Sequence, residues 1–95
     1  MEDTGMDKVR IRVKSIAGEC QAGHKPGEEI IVDNVTLSGY LCPHALHSLW
    51  PYIVVLQMRG KFPWGDGDST TISCPDGDNL AIFEISRLKE SEYQA

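Results

Sequence analysis

The stretch from Val9 to Lys14, VRIRVK, alternates apolar and basic residues without a break. A period of two places Val9, Ile11 and Val13 on one face of a strand and Arg10, Arg12 and Lys14 on the other. Such a strand has one face to bury and one to leave in water. The rest of the chain must therefore supply partners for its edges and a layer for its apolar face. Three further segments read as strands. EEIIVDNV follows the breaker-rich loop AGECQAGHKPG and forms a hairpin with the first strand. TTISC and LAIFEISRL flank the turn CPDGDN, where proline presets one backbone angle, aspartate caps locally and glycine accepts a positive φ.

One segment carries a helical period. Leu46, Leu49, Trp50 and Ile53 recur at i, i+3, i+4 and i+7. Pro43 suits the first helical position. Pro51 interrupts the repeat, removing a backbone donor and crowding the carbonyl of His47. The pattern predicts a helix over 43–58, kinked or split at Pro51, with Leu46, Leu49, Trp50 and Ile53 resting on Val9, Ile11 and Val13. The element order is β-β-α-β-β, an α+β domain with an antiparallel sheet and a helix on one face. The domain is expected over 8–88, between a disordered tail at 1–7 and a frayed tail at 89–95.

A chain of 95 residues makes one domain. It buries only about 60–65% of its unfolded surface, so self-association or a bound metal would add stability. A homo-oligomer is thus left open. The net charge of −5 argues against nucleic acid and against an anionic membrane surface. The opening MEDTGMDK has no basic region or apolar core, and the longest apolar run, IVVL, cannot span a bilayer. The expectation is a cytoplasmic protein. An odd count of three cysteines then argues for free or ligating thiols rather than a disulfide framework.

Cys20, Cys42 and Cys74 each lie at the end of an element beside turn residues. Packing cysteines more often sit inside strands and helices. Cys42 precedes Pro43 and so takes the N-cap, where free N–H groups and the helix dipole favour a thiolate. Cys20 and His24 stand four residues apart in a glycine-bearing loop, a spacing that can chelate, and Lys25 beside them can hold an anion. His44 and His47 read as exposed helix histidines. CPHALH matches no zinc, haem or C-x-x-C spacing. DGDST and DGDN lack the glycine and glutamate of a calcium loop. Phe62 and Trp64 read as a lid over the core. A strand of five or six residues is about 17–20 Å long, and the link from Asn34 to Leu41 spans about 26 Å if extended. The chain can therefore return Cys42 to the end of the sheet that holds Cys20. The loop from Arg59 to Ser69 can bring Cys74 to either end.

Cys20 followed by GHKPG, then LCPHA, Pro51, Gly60, Pro63-Trp64 and CPDG form an ordered series. Over residues 9–85 the chain resembles a family of short bacterial and archaeal proteins of about this length. The resemblance implies that Cys20, Gly23, His24, Lys25, Gly27, Cys42 and Cys74 belong to the family pattern and that His44 and His47 do not. It implies no activity.

The residues themselves point first to a soft transition metal, zinc or iron, held by Cys20, Cys42 and Cys74 with His24 completing a tetrahedral set. Ligation of an iron–sulfur cluster by the three cysteines is a variant of this. No other cofactor is expected. A second class is an enzyme with Cys42 as nucleophile, His24 as base and Lys25 holding an anionic substrate. A third is a structural or adaptor module whose cysteines only pack.

Overall fold

The computed structural model describes residues 6–89. In chain order it contains β1 (Val9–Ile16), β2 (Glu29–Asp33), β3 (Thr36–Leu37), α1 (Pro43–Gln57), β4 (Ser69–Ser73) and β5 (Ala81–Arg87). The strands form one antiparallel sheet in the order β3-β2-β1-β5-β4. The single helix packs on one face. This is the α+β architecture expected from the sequence, with a two-residue fifth strand, β3, in the segment read as a linker.

Val9, Ile11 and Val13 are buried, as their alternation requires. Val9 pairs with Val32 and Ile11 with both Ile30 and Ile85, so the same face is apolar across three strands. Phe83 and Ala81 extend it, and Leu49, Ile53 and Leu56 of α1 cover it. Register between β1 and β5 shifts between Val13 and Ser15. The bulge lets Ile16 still meet Ala81 at the end of the sheet.

The helix departs from the sequence reading in two ways. It runs unbroken through Pro51 and is not split. Pro51 and His47 both lie on the exposed side, where water can take up the carbonyl that proline leaves unpaired. The buried face is also rotated: Ala45, Leu49, Ile53 and Leu56 face the sheet, while Trp50 is 39% exposed and Leu46 only half-buried. Two apolar stripes share this helix. The narrower side chain, Ala45, wins a place against the sheet because it permits close approach. The helix ends in a Schellman turn, with the Gly60 N–H donating to Val55 O (2.8 Å) and the Arg59 N–H to Leu56 O (3.0 Å). A Cβ at Gly60 would stand 2.9 Å from Val55 O.

The sheet has two chemically different ends. At one end Arg87 donates to the Leu56 and Gly60 carbonyls and pairs with Asp7 and Asp68. Gln57 donates there to Asn34 O (2.8 Å), tying the helix to the β2–β3 turn. Asp7, assigned by the sequence to a disordered tail, is thus bonded to the domain. The tail assignments for 1–5 and 90–95 lie outside the described residues. The other end gathers the β1–β2 loop, the start of α1 and the β4–β5 loop. Phe62 is buried, and Trp64 stacks on it at 5.2 Å and donates to Thr70, which fits the lid reading.

Candidate functional site

The β1–β2 loop folds as two successive turns around His24. In the first, the Gly23 N–H donates to Cys20 O (3.0 Å). In the second, the Glu28 N–H donates to Lys25 O (3.2 Å), with Pro26 presetting φ and Gly27 at φ 95°. Gly23 has φ 81°. Both glycines occupy backbone regions that side chains disfavour, and together they turn His24 inward.

His24 is buried at 6% exposure. Its Nε2 accepts the Cys42 N–H (3.1 Å), and its Nδ1 lies 2.9 Å from a Glu28 carboxylate oxygen. A backbone amide can only donate, so Nε2 carries the lone pair and Nδ1–H donates to Glu28. The His24 ring stacks on Tyr40 at 5.5 Å and meets the edge of Phe83 at 5.8 Å. The hydrogen bond from His24, ahead of contacts with Lys25, holds the Glu28 carboxyl below its ordinary range.

Cys42 is the N-cap of α1, as the sequence predicts, and Pro43 opens the helix. Its thiol makes no capping hydrogen bond. The residue is fixed by its own N–H on His24, not by its side chain. Cys74 follows β4, and its Sγ accepts the Ala81 N–H (3.2 Å) while lying 3.9 Å from Asn79 O. Cys42 and Cys74 both pack partly against the core. Cys20 does not belong to that cluster. It sits in a turn held on either side by the Glu19 N–H on Asn79 Oδ1 (3.0 Å) and by His24.

All three cysteines line one cavity of about 400 Å³, together with His24, Asn79 and Phe83. β3 explains how Cys42 reaches it. β2 carries the chain away from this end, and β3, pairing Leu37 with Val32, turns it back. The Ser38 N–H on Ile31 O (2.9 Å) extends that return toward Cys42. Cys74 arrives because β5 starts opposite Ile16, which puts the β4–β5 loop beside the β1–β2 loop.

Among the described residues, no three His, Cys, Asp or Glu side chains stand in positions to hold a metal ion together. Lys25 is exposed, and neither it nor His47 lines the cavity, whereas His44 does. Sequence reasoning missed Asn79, Glu28 and Tyr40. Glu28 was findable as a carboxylate four residues beyond His24. The parts of Asn79 and Tyr40 follow from contacts that no spacing reveals. Comparison with protein-family models, with curated proteins and with solved structures finds no match to the chain.

Proposed function

We propose that the cavity is a thiolate site for a soft transition metal, zinc in the first instance, with Cys20, Cys42 and Cys74 as its ligands. The observation that supports this reading is the lining of one cavity by three cysteines from three separate loop mouths. Soft sulfur ligands favour zinc or iron over hard cations. Binding requires the thiols to close across the cavity. The Cys20 side chain is the one left outside the core cluster that holds Cys42 and Cys74, so closure falls to it. His24 is a positioning residue in this reading: both ring nitrogens are already engaged, and ligation through Nε2 would cost the bond to Cys42. The fourth position belongs to water or a small molecule in the cavity.

The test is titration of oxygen-free, chelator-free protein with Co²⁺ and Zn²⁺. One cobalt per chain is expected, with a thiolate-to-metal absorption band that zinc removes. Cys20→Ser, Cys42→Ser and Cys74→Ser should each weaken the band. Its absence from the parent chain, or its survival in all three variants, rejects the reading.

A second reading rests on the cavity's size, which suits a small molecule better than a bare ion. Cys42 would then be a nucleophile at the helix start, its thiol unused in capping. His24 in its present bonding cannot take the proton, so this reading loses its expected base. Rapid alkylation of Cys42 relative to Cys20 and Cys74 in metal-free protein would favour it.

A further inference from the structure

β4 is an outer strand of the sheet, and its sequence STTIS holds no charge and no proline. Edge strands are usually protected against pairing by lysine, proline, bulges or brevity. The opposite edge follows that rule, since β3 has only two residues. β4 has five residues in unbroken register with β5, and none of these devices.

The direction of its unpaired groups follows from the bonds at its ends. The Arg87 N–H donates to Asp68 O and the Cys74 N–H to Ala81 O. Bonded pairs in an antiparallel ladder alternate. Asp68, Thr70, Ile72 and Cys74 therefore turn their backbone groups toward β5, and Ser69, Thr71 and Ser73 turn theirs outward. No described strand lies beyond them.

We infer that β4 is a self-association edge, pairing antiparallel with β4 of a second copy across a two-fold axis at Thr71. A row of alternating donors and acceptors matches another strand, and a two-fold matches it to itself. Centred on Thr71, the pairing sets Ser69 against the partner's Ser73 and Thr71 against the partner's Thr71. Each outward pair exchanges two N–H···O bonds, about six in all. No like charges meet within these strands, because neither carries any. On the helix side, Thr70 of each copy meets the other's half-buried Ile72. The result is a continuous ten-stranded sheet, and it requires nothing of the thiol cavity.

Thr71→Pro and Thr71→Lys test this at the centre of the pairing. Proline deletes an outward N–H and leaves the bonds to β5 intact, a placement edge strands tolerate. Lysine leaves the backbone unchanged and sets two like charges face to face. Sedimentation velocity and light scattering up to about 1 mM chain should give a dimer mass for the parent. Each variant should raise the dissociation constant at least about tenfold, while circular dichroism keeps the parent fold. Hydrogen exchange should slow with concentration at Ser69, Thr71 and Ser73 and stay constant at Thr70 and Ile72. A parent chain that stays monomeric throughout overturns the inference. So does a dimer that keeps its affinity in the folded lysine variant, or one abolished by Leu37→Lys on β3 instead.

Discussion

His24 concentrates more structural consequence than any other side chain near the cavity. It joins the loop that carries Cys20 to the helix that carries Cys42, through one acceptor and one donor. His24→Ala leaves the Cys42 N–H without its acceptor, removes the ring between Tyr40 and Phe83, and opens a void. A buried unsatisfied donor costs about 1–3 kcal/mol and a cavity adds to it, so a total of about 2–4 kcal/mol is expected from urea unfolding. His24→Gln keeps an acceptor and should lose less. Glu28 supplies a pH signature. Its carboxyl is held below the ordinary 4.5, first by the bond from His24. A lowered folded value stabilises fully above the unfolded one and is lost as pH falls through the folded value. Glu28→Gln should therefore be less stable than the parent near neutrality, with the gap closing as pH falls below about 4. A gap that widens on acidification would contradict the assigned direction.

The helix shows what periodicity can and cannot decide. That residues 43–57 form a helix on the sheet was legible, because Pro43 opens it and apolar residues recur at helical spacing. Which stripe faces inward was not legible. Leu49 and Ile53 belong to both candidate faces, so the choice turned on Ala45 and Leu56 against Leu46 and Trp50. Side-chain size favoured the second pair, but close packing against the sheet selected the first. Leu49→Ala should accordingly cost about 2–5 kcal/mol. Trp50→Ala should cost under about 1 kcal/mol, within the range of surface substitutions. Thermal unfolding of the two variants side by side checks the register directly, and the reverse order of costs would restore the original face. The cavity was legible to the same partial degree. Three cysteines beside turn residues announced that thiols stand at loop mouths. The arrival of Cys42 at that end depended on β3, whose two residues carry no pattern that marks a strand, and the arrival of Cys74 on where β5 starts along β1.

The molecule as a whole is divided between an ionic end and a thiol end, with the apolar sheet–helix core between them. Arg87 ties β5 to Asp7, Asp68, the Leu56 carbonyl of α1 and the Gly60 carbonyl of the turn that follows it, and its side chain is 17% exposed. Lysine cannot reproduce that fork of donors, so Arg87→Lys should lower stability by about 1–3 kcal/mol. The cavity lined by Cys20, Cys42 and Cys74 lies at the opposite end of the sheet, with no partner in common with Arg87. Changes at distant sites without shared partners add. Zinc at about one hundred times its dissociation constant should stabilise the folded chain by about 2.7 kcal/mol. Additivity then requires the same zinc increment in the parent and in Arg87→Lys, although the variant starts lower. Cys74→Ser should show the opposite pattern, with a modest loss without metal and little or no increment with it. Calorimetric melting of the three proteins, each with zinc and with chelator, separates the cases. An increment that shrinks in Arg87→Lys would mean that the two ends are coupled through the core. An increment retained in Cys74→Ser would mean that zinc binds somewhere other than the thiol cavity.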